Sequence, residues 1–278
     1  MGKHSPKRNQ PGFLKSRRAI ALPINFLILF VSLVLLISAT YYFSIVRISA
    51  KTQELKVSGV EQEMISIEKV VKFVSWSPGS YQIFEFDDFG GKFKVVPTAK
   101  RLLLNLTDNS SFYDVFFNNS LGKAAYELPA SEIQDTLYLK GDRRALVNQS
   151  SSTMTQLYIS QGVDRYEITL SYRPLVGSSV VGSSSGKPVN TLNVYIINLN
   201  SSENILRLGS IRLKVTCADV TSSWRSYSFT EPLTSLVVNA DFDGIPSQVS
   251  LPISSNAQGA FVNLETVVCN IKMEDAGW

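Results

Sequence analysis

Histidine is almost absent from this chain of 278 residues, and the one histidine, His4, lies near the N-terminus among basic residues. A catalytic serine–histidine–aspartate triad, a cysteine–histidine pair and a histidine-ligated metal site would each need a histidine in the folded body. A glycine-rich phosphate-binding loop between a strand and a helix is also missing. We therefore expect that the protein is not an enzyme and that it binds no cofactor and no metal.

Charged residues are scarce as well: they make up 18% of the chain, against about 25% in average soluble domains. Six of the 27 basic residues lie within the first 18 positions, where no acidic residue occurs: Lys3, Lys7, Arg8, Lys15, Arg17 and Arg18. The remainder carries 21 basic (27 − 6) and 23 acidic residues. The net charge of +4 therefore belongs to the N-terminal tail, and we expect no nucleic-acid partner.

Residues 19–46 form a run of 28 residues without a charged side chain. A helix of this length, at about 1.5 Å per residue, exceeds the ~30 Å hydrocarbon core of a bilayer. The basic cluster before the run should stay in the cytoplasm, so we expect a single-pass membrane protein with its body outside the cell. A secretory signal cleaved near Ile37-Ser38-Ala39, a twin-arginine export signal at Ser16-Arg17-Arg18 and an uncleaved signal anchor are the alternatives.

The sequence over residues 15–24, Lys-Ser-Arg-Arg-Ala-Ile-Ala-Leu-Pro-Ile, resembles the start of archaeal type IV pilin-like proteins, whose signal peptides are of class III. The resemblance implies that residues 1–19 are a basic leader and that a prepilin-type peptidase recognises Arg17, Arg18, Ala19 and Ile20. It would cut after Ala19 and leave Ile20 as the first mature residue. The chain departs from the family pattern in lacking a glutamate near mature position five, where Asn25 stands nearby.

The helix is expected to continue past the membrane, with residues 20–46 as a transmembrane helix and residues 47–76 as an amphipathic one. Val60, Met64, Ile67 and Val71 recur at spacings of three and four, which places them on one helical face. Glu54, Glu61, Glu68, Lys69 and Lys72 are expected largely on the opposite face, with Glu68 and Lys72 as an ion pair. The apolar face predicts packing against the body, although a free stalk would show the same pattern. Gly59 is a candidate bend, and Ser77-Pro78-Gly79 should end the helix.

Strand patterns dominate residues 77–278. Short apolar runs occupy residues 81–86, 92–96, 101–106 and 112–117, and residues 166–172, 192–196 and 211–215 alternate between apolar and polar. Alternation of this kind is typical of antiparallel sheets with one buried face. We therefore predict an α+β protein with a mainly antiparallel, β-sandwich-like extracellular domain. A polar break at residues 149–154 leaves open a division into two parts.

One loop and two turns are predicted within this body. Residues 87–91 should form a turn between the first two strands, and the glycine- and serine-rich residues 176–188 should form a long exposed loop. Asp241-Phe242-Asp243-Gly244 lacks the late glutamate of a calcium-binding loop, so we expect a plain turn there.

Cys217 and Cys269 are the only cysteines. In an exported body they are expected to form a disulfide, with two buried free thiols as the alternative. Asparagines in Asn-x-Ser/Thr sequons are candidate N-glycosylation sites, and they occur at Asn105, Asn109, Asn118, Asn148 and Asn200.

The resemblance implies a structural role: a major or minor pilin-like subunit of a surface filament, with adhesion as an added role of the body. Its expected partners are the membrane, the prepilin-type peptidase and other pilin-like subunits that bind through the N-terminal helix. The alternative is a membrane-anchored surface glycoprotein or binding module that does not polymerise.

Overall fold

The computed structural model describes Gly2 and residues 18–108, 110–129, 136–148, 153–162 and 165–277, with the backbone alone for residues 18–23. The chain divides into two compact units, Met1–Glu54 and Leu55–Trp278. Helix α1 runs from Arg18 to Val74 and contributes to both units.

Within the described residues, fourteen strands follow the helix. Their bounds are β1 Tyr81–Phe86, β2 Lys92–Thr107, β3 Tyr113–Pro129, β4 Leu137–Lys140, β5 Val147–Asn148, β6 Thr155–Gly162, β7 Arg165–Tyr172, β8 Leu175–Ser184, β9 Lys187–Asn198, β10 Ile205–Leu208, β11 Ile211–Phe229, β12 Ser235–Phe242, β13 Ile245–Pro252 and β14 Ala260–Asp275.

The strands form two sheets. The six-stranded sheet has the order β1-β11-β14-β9-β8-β5, and the eight-stranded sheet has the order β13-β12-β2-β3-β7-β6-β4, with β10 paired to β2. Neighbouring strands are antiparallel except for two parallel pairs, β14 with β9 and β5 with β8. The expected α+β class with a mainly antiparallel body is confirmed.

Two apolar clusters form the core of the body. The first joins the C-terminal half of α1 to both sheets; among its members are Val60, Met64, Ile67, Val71, Phe93, Tyr126, Ile168, Leu213, Val215 and Ile271. The second contains no helical residue and joins strands of the two sheets through side chains such as Leu104, Val194, Val238 and Leu264. The helix therefore contributes to the first cluster and not to the second.

The predicted strand positions hold in outline, with two corrections. Residues 92–96 and 101–106 belong to one strand, β2, whose pairing with β3 is interrupted by an irregularity between Val96 and Lys100. Residues 176–188 are not a loop: they belong to the antiparallel hairpin of β8 and β9. Ser185 and Gly186 form its turn, with φ of 50° and 79°.

The two predicted turns differ in outcome. Residues 87–91 connect β1 in one sheet to β2 in the other, so they do not join a hairpin. Asp243 and Gly244, with φ of 57° and 81°, form the tight turn between the paired residues Phe242 and Ile245. Positive φ at both central residues is the geometry that Asp-Gly favours in hairpins, so the plain turn is confirmed.

Candidate functional site: the two halves of helix α1

The N-terminal half of α1 exposes its apolar side chains. The large apolar side chains from Ile24 to Ile48 are between 44% and 77% exposed. The most apolar stretch of 18 residues in the helix has a mean hydropathy of 2.3. Consecutive residues such as 26–31 and 33–37 are apolar, so the surface is apolar around the whole circumference rather than on one face. The helix is long and apolar enough to cross a membrane, as a membrane anchor or a signal sequence would be.

Three hydroxyl side chains in this half donate hydrogen bonds within the helix. The hydroxyls of Ser32, Thr40 and Ser44 donate to the carbonyl oxygens of Leu29, Leu36 and Thr40, each over 2.8 Å. A hydroxyl bonded in this way needs no water partner. These residues are therefore compatible with an apolar surrounding.

The apolar half ends at a cluster of aromatic and charged residues. Tyr41, Tyr42 and Phe43 are exposed, and the guanidinium carbon of Arg47 lies 4.8 Å from the centre of the Phe43 ring. One turn further, Lys51 Nζ and a carboxylate oxygen of Glu54 are 2.9 Å apart. Aromatic residues followed by charges are typical of a membrane–water interface.

The C-terminal half of α1 packs one of its faces into the body. Val60, Met64, Ile67 and Val71 are each 0% exposed and belong to the first core cluster. The helix continues through Gly59, where an added Cβ would lie 2.4 Å from Cε1 of Phe89. Glycine is thus needed here for the close approach of the Phe89 ring.

Glu68 is also buried, which corrects its expected place on the charged face. Its carboxylate is within 2.9 Å of Lys72 Nζ and 2.7 Å of Lys140 Nζ, and it accepts a hydrogen bond of 2.7 Å from the Thr155 hydroxyl. Burial alone would raise the pKa of Glu68, but these hydrogen bonds outweigh it and hold the pKa below its usual value. The expected pair with Lys72 is present, yet Lys140 and Thr155 have no signal in the helical pattern. They come from strands β4 and β6.

The helix ends at Val74, two residues before the predicted end. Trp76 adopts a φ of 68° and Gly79 a φ of 80°, which turns the chain away from the helix. The carbonyl oxygen of Val74 accepts hydrogen bonds from the backbone N–H of Ser77 over 3.3 Å and from the hydroxyl of Ser80 over 2.9 Å.

The two cysteines meet beside this helix end. Their sulfur atoms are 3.6 Å apart and both thiols are free and buried, so the expected disulfide is absent and the alternative of two buried thiols holds. The backbone N–H of Trp76 points to the sulfur of Cys269 over 3.4 Å. Burial raises the pKa of the Cys269 thiol above its usual range.

The candidate glycosylation sites differ in exposure. Asn118 is exposed, Asn148 and Asn200 are half-buried, and Asn105 is only 9% exposed in the interior of β2. Asn109 lies outside the described residues. Exposure therefore favours Asn118 over Asn105 for modification.

The predicted leader-processing residues lie only partly within the described part of the chain. Arg17 lies outside the described residues, and Arg18, Ala19 and Ile20 begin the backbone of α1.

No protein-family model, curated protein or solved structure matches the chain.

Proposed function

We propose that this chain is a structural, pilin-like subunit, major or minor, of an archaeal type IV pilus-like surface filament. Its β-sandwich-like body lies outside the cell and has no catalytic role. One observation carries the proposal: a single helix, α1, exposes its large apolar side chains from Ile24 to Ile48 and packs one face of its C-terminal half into the core of the body. An anchor alone needs only the first half.

The exposed half suits assembly as well as anchoring. Its apolar surface has no preferred side, so it can contact lipid before assembly and neighbouring helices afterwards. Lipid tails are about as apolar as leucine, so exchange between the two environments is governed by packing rather than by the hydrophobic effect. The other subunits and the membrane are therefore its partners in turn.

Maturation is the first step of the proposed pathway. A prepilin-type peptidase cuts between Ala19 and Ile20 on the cytoplasmic side, and the mature chain keeps its N-terminal helix. The basic residues before the cut support an N-terminus inside the cell.

The second candidate function is a membrane-anchored surface glycoprotein or binding module that stays unpolymerised. It is favoured by Asn25, which stands near the place where many pilins have a glutamate. Both candidates predict a membrane-bound chain, so filament formation separates them.

The experiment combines mass spectrometry of the mature N-terminus with electron microscopy of the cell surface. We expect a mature chain that starts at Ile20 and filaments that disappear when the gene is deleted. Ala19→Phe should block processing, since the residue before the cut must be small. Ala39→Phe is the matched control on the same helix, and it should leave the start at Ile20 unchanged.

Each of the other possible results would identify a different interpretation of the N-terminal segment. A mature chain that starts at Thr40, and is lost in Ala39→Phe, would show a cleaved secretory signal and reject the proposal. An intact N-terminus would show an uncleaved anchor. A start at Ile20 without filaments would support the unpolymerised binding module.

A further inference from the structure

Three amide side chains form a row on the surface of the eight-stranded sheet. Asn239 of β12 is paired with Gln248 of β13 on one side and with Asn105 of β2 on the other. The residues next to Asn239 in the strand, Val238 and Ala240, are buried in the second core cluster. Because side chains alternate along a strand, the amide row faces away from that cluster.

Two polar groups in this row are left without a protein partner. Asn239 donates from Nδ2 to Oδ1 of Asn105 over 3.0 Å. No hydrogen bond within the described part of the chain uses the Nδ2 of Asn105 or the Oδ1 of Asn239. If both amides were turned over, one donor and one acceptor would still remain.

Asn105 as a residue is only 9% exposed, but its Nδ2 keeps contact with solvent. The unused donor and the unused acceptor therefore lie side by side at the surface, where the hydroxyl groups of a ligand can replace water.

The two groups open into a shallow cavity of about 370 Å³, within the ~300–1,000 Å³ typical of ligand sites. Its lining is formed by Asn105, Tyr113, Asn239, Ala240, Asp241, Pro246, Ser247 and Gln248. Asp241 is the one charged residue among them, and none is basic. The ring of Tyr113 is 62% exposed at the edge of the cavity.

We propose that this cavity binds a neutral saccharide. Each sugar hydroxyl both donates and accepts, which matches a row of amides that also does both. The C–H face of a sugar ring is apolar and can cover the exposed Tyr113 ring, an aromatic surface with a polar tip. The absence of a basic lining residue and the presence of Asp241 disfavour anionic ligands.

The inference does not depend on filament assembly, since the cavity lies wholly within the body. The sugar has two sources: glycans of another surface, or glycans on a sequon of a second copy, such as the exposed Asn118. The chemistry is the same for both sources.

The test uses the full chain in a detergent without a sugar headgroup, because a glycosidic detergent would compete for the cavity. Saturation-transfer NMR and calorimetry with glucose, galactose, mannose and N-acetylglucosamine should show binding of at least one of them, and glucuronic acid serves as the charged comparison. Glycans released from the purified protein, compared with glycans from the surface of other cells, distinguish the two sources.

Two variants test the location of the site. Tyr113→Ala and Asn239→Leu should each lower the association constant about tenfold, equivalent to about 1.4 kcal/mol. Tyr81→Ala is the matched control, since Tyr81 is 59% exposed but lies on β1 of the other sheet. It should bind as the unmodified chain does. Unchanged melting temperatures of the variants show that the fold is intact.

Three results would overturn the inference. The first is no binding of any neutral sugar at about 20 mM, a weak affinity of only ~2 kcal/mol. The second is equal loss of binding in Tyr81→Ala and Tyr113→Ala. The third is a glycan found on Asn105 itself, because modification would occupy the donor assigned to the ligand.

Discussion

Ile67→Ala is expected to destabilise the body by about 2–5 kcal/mol. The Ile67 side chain is 0% exposed and lies in the cluster that joins α1 to both sheets. The substitution removes three carbon groups at about 0.8 kcal/mol each, and the cavity left among fixed strands adds to this loss. For a body of this size, 1 kcal/mol corresponds to about 2–4 °C, so the melting temperature should fall by about 4–20 °C.

Two exposed residues in the same half of the helix serve as controls. Phe73 lies in the same half of α1 but is 74% exposed, so Phe73→Ala removes a larger side chain with little loss of buried surface. Lys69, also exposed, should tolerate replacement by aspartate, whereas Ile67→Asp must desolvate a charge and should prevent stable folding.

The measurement is thermal unfolding of the full chain in detergent, with near-UV circular dichroism as the signal. This signal reports aromatic packing in the body rather than helix content. Equal shifts for Ile67→Ala and Phe73→Ala would refute the reasoning, because they would mean that the helix is a free stalk. That result would also weaken the proposed function, which depends on one helix serving both body and assembly.

Three further predictions concern the same region. Glu68→Gln should destabilise the body by about 3 kcal/mol at pH 7. Because the folded pKa of Glu68 is lowered, the stabilisation is present at neutral pH and is lost as the pH falls below about 4; urea titrations of both proteins should therefore converge in acid. Cys217 and Cys269 should resist a thiol reagent in the native chain, and both should react after unfolding; no reactive thiol after unfolding would show a disulfide. A fragment of residues 55–278 should fold with the near-UV spectrum of the full chain, and a flat spectrum would count against a self-contained core.

Helical periodicity located the packed half of α1 because its contacts repeat within the sequence. The spacing of Val60, Met64, Ile67 and Val71 is a local property, and all four residues lie in the core. The burial of Glu68 could not be read in the same way. Its partners Lys140 and Thr155 are 72 and 87 positions away in sequence, and no local pattern marks a carboxylate that distant strands will enclose.

The hairpin of β8 and β9 shows a second limit. Its glycines and serines predict a loop, yet paired backbone groups hold residues 175–184 as a strand with many exposed side chains. Backbone pairing with β9 decides the structure there, and composition does not record it. Strand alternation likewise predicted β7 and the first part of β11 but not the parallel pairing of β9 with β14, which joins segments about 70 residues apart.

The amide row of the cavity was only partly visible in the sequence. Asn105 was singled out as a sequon residue, whereas Asn239 and Gln248 carry no motif. Their meeting depends on the register of three strands, which sequence alone does not fix.

The position of β14 has a consequence for the order in which the protein can be completed. This last strand lies between β11 and β9 and supplies Cys269, Ile271 and Met273 to the cluster around the helix. The helix precedes this strand in the chain, so its packing can be completed only after β14 has been synthesised; until then β9 and β11 each keep an unpaired edge. A premature stop before residue 260 would not trim the body but divide its six-stranded sheet into β1-β11 and β9-β8-β5. Completion of the core around the helix thus depends on the strand that lies farthest from it in sequence.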